Sequence, residues 1–201
     1  PYMKKWVPAG IQVVPVVPSV AIARRVERDG AAAVIAEGCE AGGHIGELTT
    51  MTLVPQVADA VSIPVLAAGG IADGRGVAAA MMLGAQGVQC GTLFLAAREC
   101  TIHDNYKDMV LKARDLDTVV TGRRLGHPVR ALKSRYMQTF RAREEDPAVS
   151  REDLEAFGAG ALRRAAREGD LEGGCFMAGQ AAGLIRCCQG VGEMLQDIFD
   201  K

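Results

Sequence analysis

The stretch IPVLAAGGIADGRGVAAAMMLGA, residues 63–85, contains the unit that decides the fold. It begins with a continuous apolar run, which is typical of a strand buried on both faces. Gly69 and Gly70 end that run, and a helix-like segment rich in alanine and methionine follows. Gly84 stands where the residue after a helix end is expected, directly before the next apolar run. The stretch therefore predicts a strand, a glycine turn and a helix, which together form one βα unit.

The same order recurs on both sides of this unit. Four apolar runs are predicted to be strands: IQVVPVVPS (11–19), AAAVIAEG (31–38), IPVLAAGG (63–70) and AQGVQCGTLFL (85–95). The segments between them have helical spacing, and Val20, Ala23 and Val26 form the apolar face of the first one. Repeats of this kind predict right-handed βα units on a parallel sheet. They fit half of a (β/α)8 barrel or part of a doubly wound sheet, since a full barrel takes about 250 residues.

The pattern changes after the fourth run. Residues 104–117 and 147–170 are helix-like, and the stretch 121–146 between them is basic before it turns acidic. None of these segments contains a βα repeat, which indicates a separate helical subdomain. We predict three parts: barrel units over 1–112, the helical subdomain over 113–174, and a C-terminal turn and helix over 175–201 that packs back on the barrel.

Composition argues against several classes of protein. The formal net charge is −1 and only 4% of residues are aromatic, which disfavours binding to nucleic acid or to an anionic membrane surface. No apolar stretch reaches the roughly 18 residues of a membrane span. The six cysteines show neither a disulfide framework nor metal-ligand spacing, so we expect a cytoplasmic protein without a metal site. The first residue is Pro1 instead of Met, and we expect a longer translated product.

Glycines follow two successive predicted strands, as Gly69-Gly70 and as Gly91-Thr92. Functional residues of parallel βα folds collect at the carboxyl ends of the strands. Bare backbone amides before a helix suit a phosphate group, because no Cβ obstructs the approach. The alternative is that these glycines serve tight turns only. That alternative is favoured for one such turn, whereas two at successive strands favour a phosphate site.

A family resemblance is carried by VPVVPS, AEGCEAGGHIGELTTMTLVPQV, IPVLAAGGIADGRG and GVQCGTLF. These segments resemble the flavin-dependent enoyl-acyl-carrier-protein reductases of bacterial fatty-acid synthesis, which share one FMN-binding barrel family with the nitronate monooxygenases. GRRLGHPVRALK, DLEAFGAGAL and GGCFMAGQAAGL extend the resemblance toward the C-terminus. It implies an α/β fold made of the last four βα units of a (β/α)8 TIM barrel, with a helical substrate-binding subdomain. Nothing in these 201 residues corresponds to the first four strands of such a barrel.

The resemblance implies FMN as cofactor, NADH or NADPH as reductant, and an enoyl thioester on acyl carrier protein as substrate. The short link GHIGELTTMTLVPQV favours the reductase, since monooxygenases tend to carry a longer insertion there. One alternative is FMN-dependent nitronate oxidation, and another is an inactive half-barrel that only binds a ligand or partner. A monovalent cation near the loops is also compatible with the resemblance. Because a half-barrel leaves open strand edges, we expect a preceding segment or a second copy, as in a homodimer, to complete it.

The resemblance also assigns roles to individual residues. Those that would hold FMN are Gly69, Gly70, Gly91 and Thr92 at the phosphate, Gln89 and Cys90 at the ribityl chain, and Glu37, Gly42, Gly43, Met177 and Gln180 along the flavin. Many monooxygenases carry glutamine in place of Glu37. Met177 fits a plain core position equally well.

His44 stands in the glycine-rich segment AEGCEAGGHIGELTTMT (36–52). A lone loop histidine is usually solvated, but the resemblance implies a catalytic role here. An imidazole can stabilise enolate charge on a thioester carbonyl or give a proton to the α-carbon. His103 is interpreted as structural. His127 and Arg130 are interpreted as part of a solvated helix face, with contact to an acidic carrier protein or to the phosphates of the pyridine nucleotide as the alternative.

Overall fold

A computed structural model describes residues 2–200, so Pro1 and Lys201, the outer ends of the predicted first and last domains, lie outside the described residues. The chain divides into two compact units. Unit 1 comprises the described residues up to Glu40, Gly46–Cys90 and those from Ile198 onward, and unit 2 comprises Ala41–Ile45 and Gly91–Asp197.

The helices and strands are, in chain order, α1 (Met3–Trp6), β1 (Val16–Val17), α2 (Val20–Arg28), β2 (Val34–Glu37), β3 (Gly43–His44), α3 (Thr50–Ala58), β4 (Val65–Ala68), α4 (Gly74–Met82), β5 (Gly87–Gln89), α5 (Thr92–Leu95), α6 (Asp104–Lys112), β6 (Thr118–Thr121), β7 (Val129–Leu132), α7 (Arg135–Glu145), α8 (Arg151–Gly158), α9 (Ala161–Arg163) and α10 (Val191–Asp200). A π-helical turn spans Arg164–Glu168, and a 3-10 turn spans Gln180–Leu184. No helix within residues 2–200 has both the length and the apolar character that a membrane crossing requires.

Unit 1 is built on a four-stranded sheet in the order β1-β2-β4-β5, and every neighbouring pair is parallel. This confirms the predicted α/β fold with a parallel sheet. The strands are shorter than the predicted runs, and the fourth run was wrong beyond Gln89, because Thr92–Leu95 forms helix α5. A continuous apolar run does not by itself distinguish a buried strand from a buried helix.

Alanines and β-branched residues fill the core of unit 1. Ala23 of α2, Leu53 of α3 and Ala67 of β4 are completely buried in one cluster. Helix α2 begins after Ser19, whose Oγ accepts a hydrogen bond from the Ile22 N–H at 3.4 Å. Gly84 ends α4 with φ +94°, as predicted from its place before the next strand. These packed βα units fix the carboxyl ends of the strands, where the candidate residues lie.

Unit 2 contains a three-stranded antiparallel sheet in the order β3-β7-β6, together with helices α5 to α9. The sequence 113–174 was interpreted as helical, so the β6–β7 hairpin corrects that part of the prediction. Its strands, TVVT and VRAL, are short and partly polar, and they give no long apolar run. At Gly122, with φ +80°, a Cβ would lie 2.5 Å from the carbonyl oxygen of His127. The hairpin turn therefore depends on glycine. The boundaries of a substrate-binding subdomain remain a prediction.

Candidate active site

The glycine turn after β4 has a backbone that other residues rarely adopt. Gly69 and Gly70 have φ values of +95° and +78°. A Cβ on Gly69 would lie 2.8 Å from the carbonyl oxygen of Gly38 and 3.0 Å from Oγ1 of Thr50. Within residues 2–200, no acceptor takes the backbone N–H of Gly69 or Gly70. Successive free amides of this kind form a concavity that suits an anion.

At the N-terminal ends of α3 and α4, carboxylates of the chain itself accept the free backbone N–H groups. The Glu40 carboxylate accepts hydrogen bonds from the Thr50 N–H at 2.9 Å and from Thr50 Oγ1 at 3.0 Å, at the first residue of α3. Asp73 Oδ1 accepts the amides of Arg75 and Gly76 at the start of α4, at 3.0 and 3.2 Å. The hydrogen bond from the Arg75 side chain lowers the pKa of the Asp73 carboxyl. The N–H groups at the start of α4 therefore do not remain available for a phosphate, because Asp73 accepts them. A phosphate would depend on the N–H groups of Gly69 and Gly70.

The sheet register brings other predicted residues to the same edge of unit 1. Ala68 is paired with Glu37 on one side and with Gln89 on the other, and Cys90 follows directly. Glu37 is half-buried, and that burial raises the pKa of its carboxyl group. Burial likewise raises the pKa of the Cys90 thiol. The geometry thus groups the candidates of unit 1, while their contact with FMN remains a prediction.

In unit 2, His44 is held on a strand instead of a free loop. Strand β3 pairs with β7 in the register Gly43↔Arg130 and His44↔Val129. The Ile45 N–H extends the pairing by donating to the Pro128 carbonyl at 3.0 Å. The side chain of His44 nevertheless remains exposed. Main-chain pairing therefore positions an accessible imidazole.

The other candidates of unit 2 gather around the turn at residues 177–180. A Cβ on Gly42 would lie 2.5 Å from the carbonyl carbon of Ala178, so only glycine fits beside that backbone. Thr92 Oγ1 accepts the N–H of Gly179 at 2.9 Å. Met177 is half-buried, its carbonyl accepts the Tyr106 hydroxyl at 2.6 Å, and Gln180 begins the 3-10 turn with its side chain exposed. Gly91 has open space within 4 Å of a built Cβ.

A mainly apolar cavity of about 240 Å³ lies within unit 2. His44 and Met177 line it, together with apolar side chains of the hairpin and helices that include Leu125, Val129, Met137, Phe140, Ala161 and Leu162. Burial raises the pKa of Tyr136 to about 12 and that of Cys175 to about 11, so these two lining groups stay protonated. Two imidazoles, those of His44 and His127, also line the cavity.

His127 lines the cavity, although the sequence favoured a solvated helix face for it, with a binding role only as the alternative. Its ring centroid lies 6.4 Å from that of His44, with the ring planes at 80°. The interpretation of His127 and Arg130 as a helix face was wrong, because Arg130 lies in β7 and donates to Thr118 Oγ1 at 3.0 Å. Gly126 before the histidine and Pro128 after it were the available signal, since such neighbours predict a turn.

His103 caps a helix, which accounts for it without a functional role. Its Nδ1 accepts the Asn105 N–H at 3.1 Å, at the start of α6. All six cysteines lie within residues 2–200, and none of them forms a disulfide bond there. Among residues 2–200, no group of three or more histidine, cysteine or acidic side chains is arranged to hold a metal ion.

Comparisons with known proteins identify relatives over nearly the whole chain. The family model described as nitronate monooxygenase matches residues 3–201. A probable nitronate monooxygenase from Staphylococcus aureus is 39% identical over 154 residues, which cover 72% of this chain and 43% of that protein.

Two solved structures are similar to the chain in fold as well as in sequence. FabK from Thermotoga maritima matches with a TM-score of 0.95 and 50% identity, over 99% of this chain and 63% of that one. A nitroalkane oxidase from Streptomyces ansochromogenes matches with a TM-score of 0.80 and 32% identity, over 95% of this chain and 57% of that one. The chain thus spans less than two thirds of the length of each of these relatives.

Proposed function

Because the chain belongs to the nitronate monooxygenase family, we propose that it functions as an FMN-dependent enoyl-acyl-carrier-protein reductase that uses NADH or NADPH. The observation that carries the proposal is the exposed imidazole of His44 at an apolar cavity of about 240 Å³. Such a cavity suits an acyl chain, and the imidazole beside it suits the thioester carbonyl. The similarity to FabK, at 50% identity over 99% of the chain, supports the reductase over other members.

The residues present fit the phosphate of a flavin. Gly69 and Gly70 offer free N–H groups in a left-handed backbone, and Gly91 leaves open space. We assign the phosphate to these glycines and Thr92, the ribityl chain to Gln89 and Cys90, and the flavin surface to Glu37, Gly42, Gly43, Met177 and Gln180. FMN, when bound, supplies the two-electron chemistry that connects the pyridine nucleotide with the enoyl double bond.

The chain's own residues orient the substrate and manage one proton. The imidazole of His44 donates a hydrogen bond to the thioester oxygen, on which negative charge develops, or gives its proton to the α-carbon. Pairing of β3 with β7 holds the backbone at His44, which limits the reorganisation needed during reaction. The apolar cavity walls exclude water from the acyl chain. The neutral side chains of Tyr136 and Cys175 add no competing charge.

Nitronate oxidation is the second candidate. The matching family model and the curated relatives in Staphylococcus aureus carry that name. An alkyl nitronate has a short apolar part and an anionic oxygen, which the same cavity and imidazole would accommodate. A third candidate is a protein that binds a phosphate ligand or a partner chain and turns nothing over.

One set of assays separates these candidates. The purified protein is first examined for the absorbance of bound FMN, then supplied with NADH or NADPH and a crotonyl thioester of acyl carrier protein. Substrate-dependent oxidation of the pyridine nucleotide supports the reductase. Oxygen uptake with an alkyl nitronate, without enoyl reduction, contradicts it in favour of the monooxygenase. A colourless protein that is inactive in both assays favours the binding function.

A further inference from the structure

Tyr136 of α7 lies between two hollows of unit 2. It lines the inner apolar cavity of about 240 Å³ and also an outer, more open cleft of about 460 Å³. The cleft is lined on its other sides by polar side chains that include Arg135, Thr139, Arg164 and Glu172. Tyr136 itself is only 5% exposed. The Tyr136 side chain therefore forms part of the wall of both the inner cavity and the outer cleft.

Ring contacts hold Tyr136 in this position. It stacks on Phe157 with ring centroids 5.1 Å apart and planes at 13°, and it meets Phe140 at 6.1 Å. The guanidinium of Arg143 covers Phe157 at 4.3 Å from the ring centroid. Among residues 2–200 the Tyr136 hydroxyl has no hydrogen-bond partner, and since no fully buried side-chain oxygen there lacks one, this hydroxyl keeps access to solvent. The position of the ring thus depends on stacking and not on the hydroxyl.

We infer that Tyr136 determines the length of acyl chain that the inner cavity accepts. The inference rests on the proposed function, because it takes that cavity as the acyl site. At about 240 Å³ the cavity is smaller than the 300 Å³ or so at which sites for drug-sized ligands begin. A short chain fills it, and a longer chain meets the Tyr136 ring. Removal of the ring would join the cavity to the outer cleft and give a longer chain room.

Gly158, the last residue of α8, limits the same cavity from another helix. A Cβ built there lies 3.6 Å from Cε2 of Phe140 and 4.0 Å from the Tyr136 hydroxyl, which is ordinary contact distance. The position therefore accepts a side chain, and the atoms of a larger one would occupy the cavity that Gly158 lines. Tyr136 and Gly158 accordingly allow two variants with opposite expected effects.

The first test is Tyr136→Ala, with Tyr136→Phe as the matched variant that keeps the ring. Binding of butyryl-, octanoyl- and dodecanoyl-pantetheine is measured by titration calorimetry, and kcat/KM is measured with the corresponding enoyl thioesters. Each buried methylene changes affinity about fourfold. We expect Tyr136→Ala to raise the dodecanoyl-to-butyryl affinity ratio at least about tenfold, and Tyr136→Phe to keep the wild-type ratio. An unchanged ratio in Tyr136→Ala overturns the inference.

The second test is Gly158→Leu, which decides the matter even where Tyr136→Ala fails to fold. It is expected to weaken octanoyl and dodecanoyl binding at least about tenfold while butyryl binding persists. Equal loss at all three lengths, or no loss, contradicts the inference. Wild-type protein that binds no acyl thioester of any length refutes the proposed function instead, so the two failures are distinguishable.

Discussion

Units 1 and 2 provide different kinds of chemistry from different kinds of structure. Unit 1 offers backbone groups: strand β4 leads into Gly69 and Gly70, which have left-handed φ values and N–H groups without an acceptor among residues 2–200. Unit 2 offers side chains: a short antiparallel sheet and helices surround an apolar cavity with two imidazoles. Under the proposed function, anion binding would depend on residues without side chains, and proton chemistry on a histidine held by strand pairing that is distant in sequence.

His44→Ala is the strongest test of the side-chain half of this comparison. We expect kcat for enoyl reduction to fall about 10²–10⁴-fold, which is typical of a lost general acid or base. Oxidation of NAD(P)H in the absence of enoyl substrate should keep its rate, since that reaction needs no proton on carbon. Stopped-flow measurements of both reactions check this.

His103→Asn is the matched control for His44→Ala, because His103 caps α6 and asparagine also caps helices. It is expected to leave both rates unchanged. Loss of FMN from the His44→Ala protein, or equal slowing of its two reactions, would make His44 a structural residue.

Two glycines test the backbone half. Gly69→Ala is expected to lower the free energy of unfolding by about 2–3 kcal/mol, because a left-handed alanine and a Cβ 2.8 Å from the Gly38 oxygen both cost energy.

Gly91 lies in open space with φ −96°, so the Gly91→Val protein should keep its stability and lose bound FMN. Urea denaturation and flavin absorbance measure the two effects.

Gly70 is also assigned to the phosphate, but its φ of +78° means that valine there would add backbone strain to any effect on binding. Gly91 is therefore the cleaner position. A Gly91→Val protein that purifies with its full flavin content would place the phosphate elsewhere.

His127→Ala sharpens the comparison within unit 2. If the second imidazole acts on the same bound group as His44, we expect kcat/KM to fall about tenfold, equivalent to about 1.4 kcal/mol. In the His44→Ala background the same change should cost less, since neighbouring residues that act together are not additive. Steady-state kinetics of the single and double variants measure this coupling. Fully additive losses would contradict a shared role.

The smallest expected effect is on the free energy of unfolding, and it comes from Glu37 at the carboxyl end of β2. Burial raises the pKa of Glu37 in the folded state above its ordinary value of 4.5, so the folded state binds that proton more tightly than the unfolded state does. The associated stabilisation is present below pH 4.5 and is lost as the pH rises through the folded-state pKa. Glu37→Gln should therefore be slightly more stable than wild type at neutral pH and equal to it in acid. Urea denaturation at both pH values tests this, and an equal difference at both would refute it.

The parallel sheet was predictable because each of its strands lies in a continuous apolar run that ends at a glycine or a polar residue. Gly84 and the helix before it also followed from local pattern. The hairpin was not predictable in this way, since TVVT and VRAL satisfy their hydrogen bonds through pairing and not through hydrophobic periodicity. The residues that lie beside His44 could not be predicted from the sequence either. No local pattern shows that Val129 lies beside it in β7, or that His127 lines the same cavity.

The pairing of β3 with β7 has a consequence for the order in which parts of the chain fold. The βα units of the parallel sheet close through short loops, which cost little entropy and form early during N-to-C synthesis. Strand β3 reaches its partner only after a long intervening segment has been made and the hairpin has formed. Non-local pairing of this kind is slow. A newly made chain would therefore acquire a folded parallel sheet before its imidazole reaches a working position.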